Sequence, residues 1–168
     1  DESGNSNSCS YFLQVDDTED PEIDCQDDFT VGTDPGECGA DVTLPQPTTD
    51  DNCELDNTLS HYREVDQNDN PIGVWSAWAT DHSGFFAVGR YQIQWRSEDE
   101  SGNSNSCSYF LQVDDTEAPT FSNCPGNISV SNDPGDCGAD VNWTPPLFSD
   151  NCPGAVSYTH LRAHETVS

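Results

Sequence analysis

Nineteen residues occur twice in this chain, letter for letter: DESGNSNSCSYFLQVDDTE stands at Asp1–Glu19 and again at Asp99–Glu117. A second block recurs with one change, DPGECGADV at Asp34–Val42 and DPGDCGADV at Asp133–Val141, and DNC follows each at Asp51–Cys53 and Asp150–Cys152. The offset is 98 residues for the first block and 99 for the others. A fixed period means one folded unit used in series, and a period near 100 residues suits one small globular domain. The chain therefore divides into the end of one unit (residues 1–19), a complete unit (20–117) and the start of a third (118–156). Both ends cut through a unit, so the expectation is a longer native protein.

Such a unit must work with a lean core, because 32% of the residues are apolar and the mean hydropathy is −0.74. The apolar residues are still too frequent and too evenly spread for a disordered polyacid. Eight cysteines recur at matching places, with Cys25, Cys38, Cys53 and Cys107 in the complete unit. Small domains with weak cores use disulfides, which persist in oxidising compartments. Long spacings without a CxxC or CxxxxH cluster favour disulfides over zinc. The formal net charge is −28 and the chain contains no lysine. Nucleic acid and anionic membrane surfaces are poor partners for such a chain, whereas Ca²⁺, polycations and basic proteins suit it. No run approaches the 18 or so apolar residues of a membrane span, so membrane insertion is not expected.

Short apolar runs between Asp, Asn, Gly and Pro clusters read as strands. Phe29–Val31 and Val42–Leu44 flank the DPGECGAD turn, and Leu59–Val65 alternates before a polar turn at Asp66–Pro71. Gly73–Ala79 and Phe85–Gly89 are further candidates. Tyr91, Ile93 and Trp95 share one face of the next strand. After a loop at Asp99–Ser106, Cys107, Tyr109, Leu111 and Val113 share one face at period two. No segment has helical periodicity. About seven short strands in one such unit predict an antiparallel β-sandwich.

The order of signals is also specific. It runs through Cys25, Cys38–Ala40, Asp51–Cys53, Phe86–Gly89, Gly102–Asn103, Cys107, Tyr109 and Val113–Glu117, and restarts with Cys124–Pro125, Asn132–Val141 and Asp150–Cys152. This pattern resembles the HYR (hyalin repeat) family over nearly the whole chain before Ser157. Gln26 departs from it, standing where the family usually has Pro, which Pro125 keeps. The resemblance implies an all-β, immunoglobulin-like sandwich in tandem repeats, in secreted or cell-surface matrix, adhesion and coat proteins. It implies no enzymatic activity.

Four cysteines allow three connectivities. The strand order favours Cys25–Cys107, tying the first strand to the last, with Cys38–Cys53 closing a local loop and Cys137–Cys152 repeating it. A loop of about 15 residues is worth roughly 3 kcal/mol in the chain-entropy model, a large fraction of a small domain's stability. Cys9 and Cys124 match Cys107 and Cys25 by repetition. Their partners either lie in parts of their repeats outside this chain, or Cys9 of one chain bonds Cys124 of another in a fibre.

The junctions between units are acidic: Asp16, Asp17, Glu19 and Asp20 before one, Asp114, Asp115 and Glu117 before the next. Ca²⁺ takes six to eight oxygen ligands, which clustered carboxylates can supply. The competing reading is a solvated linker that keeps strings apart. Asp66–Pro71, DQNDNP, resembles a cadherin linker motif, but its position inside a unit favours an Asx-rich hairpin turn. Asn127 and Asn142 open N-glycosylation sequons. Trp75 and Trp78 form a WxxW pattern, read as core or strand-face aromatics rather than a mannosylation site. His61 and His82 are the credible histidines, and Ser, His and Asp are too scattered to specify a triad. Ser157–Ser168 breaks the repeat and resembles spurious translation of sequencing-adapter DNA. It is set aside, with its His160/His164 pair.

The leading expectation is a structural protein: disulfide-stapled beads in an extracellular filament or matrix, glycosylated, self-associating and stiffened by Ca²⁺. The alternative is an adhesion or recognition module that binds protein or glycan. An exposed aromatic patch at Phe110, Trp75 or Trp78 would favour the second reading.

Overall fold

A computed structural model describes residues 2–153. The segment set aside at residues 157–168 lies outside the described residues. In chain order the strands are β1 (Glu22–Asp24), β2 (Phe29–Gly32), β3 (Gly39–Val42), β4 (Thr48–Asp50), β5 (Leu55–Val65), β6 (Gly84–Ala87), β7 (Gly89–Asp99), β8 (Ser104–Asp114), β9 (Thr120–Ser122) and β10 (Leu147–Ser149).

The alternating runs produce the long strands. In β7, residues 91, 93, 95, 97 and 99 are buried and their neighbours are not. In β8, Tyr109, Leu111 and Val113 point inward. These strands pair antiparallel, with Ile93 opposite Tyr109 and Tyr91 opposite Leu111. β5 flanks β7 antiparallel, and β2 lies parallel to β8, giving a four-stranded sheet in the order β2-β8-β7-β5. Two short antiparallel pairs, β3-β6 and β1-β4, complete the unit. Ala40, Val42, Leu44 and Phe86 pack on Tyr91, Ile93, Trp95, Tyr109, Leu111 and Val113, with Ile23, Phe29, Val31 and Tyr62 at the margin. The result is the immunoglobulin-like sandwich. Gly39 permits the close β3-β6 approach, because a Cβ there would run into the Phe85 ring and the Phe86 carbonyl.

Three local expectations change. Gly73–Ala79 is not a strand: Ile72 and Gly73 both donate to the Glu64 carbonyl, Ser76 donates to Tyr62, and Ala79 exchanges hydrogen bonds with Ser60. The segment covers the open edge of β5 irregularly, leaving Ile72 and Val74 in solvent. The loop expected at Asp99–Ser106 shrinks to a turn, because Asp99 stays in β7 and accepts from Asn103 N and Nδ2 at 2.9 and 2.8 Å. The strand expected at Val42–Leu44 ends at Val42. The Asp66–Pro71 segment is an Asx turn: Asp66 Oδ1 accepts Asn68 N and Asn70 N at 2.8 and 2.9 Å.

The start of the third unit repeats part of this plan. β9 pairs with β10 as β1 pairs with β4. The DPG turn also recurs: Asp133 N donates to Gly138 O as Asp34 N does to Gly39 O, both at 2.8 Å.

Candidate binding face and repeat junctions

The outward positions of the large sheet carry its polar chemistry. Because Tyr62 pairs with Ile93, the neighbours His61 and Arg63 fall on the outer face, opposite Gln94 and Gln92. Trp75 and Trp78 come from the segment along β5 and stack on the two sides of His61, at 3.9 and 3.7 Å between centroids. The His61 ring is buried by them and donates Nε2–H to Gln94 Oε1 at 2.7 Å. The Arg63 guanidinium lies 4.3 Å over the Trp75 ring and donates twice to Gln92 Oε1, at 2.9 and 2.6 Å. Arg90 lies 4.4 Å over Phe110 and pairs with Asp69 at 2.7 Å. Arg96 bonds Glu98 at 2.7 Å and donates to Ser104 at 3.2 Å. Three of the chain's four arginines therefore stand on one face of one sheet, and the fourth, Arg162, lies outside the described residues. Trp78 keeps 41% of its surface exposed.

His82 is placed differently. Its Nε2 is 2.9 Å from the Ala77 carbonyl and 3.5 Å from Ser76 Oγ. A ring nitrogen donating to that carbonyl has no lone pair for the Ser76 proton.

The cysteines separate by position along the sheet. Cys25 is bonded to Cys107, with Cα atoms 5.7 Å apart, because the chain from Pro21 to Gly32 runs beside β8. Asn105 Nδ2 donates to Pro21 O at one end of that run, and Phe29 pairs with Leu111 further on. Cys38 is bonded to Cys152, not Cys53. The carbonyl of Cys38 accepts from Val88 N, where β7 begins. Cys53 stands beside Glu54, whose carbonyl accepts from Glu100 N, where β7 ends. An eleven-residue strand separates the two cysteines by roughly 30 Å at about 3.3 Å per residue, and a disulfide needs Cα atoms within about 7 Å. The expected Cys137–Cys152 bond is likewise not made, since Cys152 is taken by Cys38. Cys9, Cys53, Cys124 and Cys137 are exposed and free.

The linker carboxylates expected to hold a metal are not gathered. Asp16 bonds Gln14, Asp114 bonds Gln112, and Asp115 accepts from Glu117 N as Asp17 does from Glu19 N. Glu117 accepts from Gly36 N at 2.7 Å. Asp17 instead meets Asp51 and the buried Asp99, with carboxylate oxygens within 4.8 Å of one another. Of this trio sequence reasoning named only Asp17. The other two are brought in by the β4–β5 loop and the end of β7. The Glu19 N–H, and next the Cys53 thiol, lower the Asp17 pKa, and Asp17 raises that of Cys53. Asn127 and Asn142 are both exposed.

The HYR domain family model matches residues 16–113. The chain belongs to the HYR domain family. Two curated proteins resemble it over a longer stretch: the sushi, von Willebrand factor type A, EGF and pentraxin domain-containing protein 1 of Rattus norvegicus and of Mus musculus. Each is 28% identical over 139 residues, 80% of this chain. The chain spans 3% of the length of these relatives. No solved structure matches. The family match ends at Val113, the last buried residue of β8, so the HYR repeat and the sandwich core close together. The HYR repeat, its disulfides and relatives of this type place the chain with extracellular or cell-surface proteins, and no helix among the described residues is long and apolar enough to cross a membrane.

Proposed function

We propose that this HYR repeat is an adhesion or recognition module, and that it reads a protein or glycan ligand with the outer face of its large sheet. The observation that carries this reading is the gathering of Arg63, Arg90 and Arg96 with Trp75, Trp78 and Phe110 on one face of a chain with a net charge of −28. Cation–π contacts, ion pairs and hydrogen bonds to glutamine side chains hold these side chains in place before any ligand arrives, which lowers the ordering cost of binding. Trp78 and the guanidinium edges offer flat apolar area beside hydrogen-bond donors. The test is binding of the intact chain to an array of neutral and acidic oligosaccharides and to extracellular-matrix proteins. Trp78→Ala and Arg63→Ala should each lower retention at least tenfold while leaving the far-ultraviolet circular dichroism of the sheet and cooperative unfolding in place. Equal retention by wild type and both variants would refute this role for the face.

A structural role in a filament or matrix, with the chain as its own partner, is favoured by a different observation: a disulfide joins Cys38 of the complete repeat to Cys152 of the next. N-glycans on Asn127 and Asn142 would coat that assembly. The calcium-stiffened form narrows to Asp17, with Asp51 and Asp99 as neighbours. Electron microscopy with and without EDTA separates these versions. Monomers under all conditions would remove the filament, and an unchanged filament would remove the calcium.

A further inference from the structure

The Cys38–Cys152 bond crosses between repeats, and the free cysteines follow a rule it suggests. By the repeat, Cys137 occupies the Cys38 position of the third unit, and Cys152 occupies the Cys53 position. We propose that in a tandem array the Cys38-type cysteine of each repeat bonds the Cys53-type cysteine of the following repeat, so that every junction is stitched covalently. Cys53 then waits for a preceding repeat and Cys137 for a following one.

Three observations carry this independently of the bond itself. First, the two cysteines of one repeat sit at opposite ends of the sheet, so each faces a neighbour rather than its counterpart. Cys38 lies at the end where β8 leaves: Thr33 N donates to Asp114 O at 3.0 Å and Gly36 N donates to the linker's Glu117 at 2.7 Å. Cys53 lies at the end where the preceding linker arrives, beside Asp17, whose carbonyl accepts from Asn103 Nδ2 at 3.3 Å.

Second, the contact flanking the bond is made by residues that recur. Asn151 Nδ2 donates to Glu37 O at 2.8 Å. Its repeat equivalent is Asn52, next to Cys53 and exposed, and Asp136 stands at the position of Glu37.

Third, the grooves at the two ends match. One is lined by Glu117, Thr120, Ser149, Asp150 and Asn151 together with Gly36 of the complete repeat. The other is lined by Glu19, Glu22, Asp50, Asp51 and Asn52, the same positions one repeat earlier and without a DPG loop against them. The Asp17 carboxylate beside it raises the Cys53 thiol pKa, which disfavours the nucleophilic thiolate.

Each stitch forms by thiol–disulfide exchange with a disulfide donor of the secretory compartment. The two thiols give up two protons and two electrons, and the donor disulfide is reduced to two thiols. The junction is then held at two points, by the linker and by the bond, which restricts rotation of one bead against the next.

The experiment is peptide mapping of the oxidised intact chain, with free thiols alkylated first. A cross-linked Cys38–Cys152 peptide is expected, with Cys53 and Cys137 alkylated; Cys38–Cys53 together with Cys137–Cys152 would overturn the proposal. A protease site placed between Glu117 and Thr120 gives a second readout. The two cut pieces should migrate together without reductant and separate with it, and Cys152→Ser should separate them in both conditions. Separation of the wild-type pieces without reductant would also overturn it. In a chain carrying a second copy of residues 20–117 in tandem, the Cys53 position of the second copy should become resistant to alkylation. A thiol still fully alkylated there would refute the rule.

Discussion

The two identical nineteen-residue stretches adopt different structures. In the second copy the residues from Ser104 to Asp114 form β8, with Tyr109 2% exposed and Leu111 and Val113 at 0%. In the first copy the matching Tyr11, Leu13 and Val15 are 87%, 82% and 88% exposed and belong to no strand. Sequence is constant, so the difference is partners: β8 lies between β7 and β2, and the described first copy has neither. β-propensity is a fit to a half-buried surface rather than a property of the segment. The short turn upstream behaves in the opposite way. Gly4 and Gly102 take φ of 81° and 89°, and Gly36 and Gly135 take 79° and 91°. Turns set by Asp, Gly and Asn within a few residues form in every copy, while strands wait for the rest of the bead.

The sharpest way to break this comparison is to change the same letter in each copy. Cys107→Ser removes a bond spanning 82 residues and should destabilise the bead by about 4–5 kcal/mol in the chain-entropy model. Cys9→Ser, at an exposed free thiol, should leave stability unchanged. Urea unfolding followed by tryptophan fluorescence, to which the buried Trp95 contributes, measures both. Equal effects would mean that the first copy is also folded into a bead. Leu111→Ala comes next, at about 2–5 kcal/mol for a fully buried leucine, against no measurable loss for Leu13→Ala.

These pairs also show what was legible. Period-two alternation exposes which face of β7 and β8 is buried, because the pleat is local, and Tyr91, Ile93, Trp95, Tyr109, Leu111 and Val113 all lie in the core. β1 and β4 are three residues each, too short to show a period, and they pair only because the sandwich closes over them. The partner of Cys38 was illegible for another reason. Spacing along the chain favours Cys53, but β7 places the two at opposite ends, and that distance depends on topology. Asp17, Asp51 and Asp99 come from three separate segments, so no motif could announce them. The stacking of Trp75 and Trp78 on His61 depends on the fold of the segment along β5, while the WxxW spacing marked the pair.

A smaller effect tests the turns. Gly102→Ala meets open space at the Cβ, so its cost is the left-handed backbone alone, about 1–2 kcal/mol. That loss should appear in the unfolding free energy of the bead. Gly4→Ala should leave global unfolding unmoved and alter only local amide shifts, because no strand depends on that turn. A global loss from Gly4→Ala would show that the first copy packs in solution.

The smallest expected effect lies at Asp66. Its carboxylate accepts from the Asn70 side chain, then from the Asn70 and Asn68 backbone amides, and these bonds lower its pKa below the usual carboxylate value. A depressed folded pKa contributes stability that is present above the unfolded value and lost as pH falls through the folded one. The opposing term is the net charge of −28. Protonating other carboxylates relieves self-repulsion, so overall stability should first rise as pH falls from 7 and decline only below the ordinary aspartate range. Asp66 is exposed enough that its own share of that decline is small. It is read instead from the Asn70 side-chain amide by NMR, whose shift should follow a titration below the usual aspartate midpoint. The turn is local, so the same titration should survive in Leu111→Ala wherever that variant is still folded. A midpoint at the ordinary value in the wild-type chain would mean that the Asx turn does not hold in solution, and that even the short-range half of the comparison depends on the core.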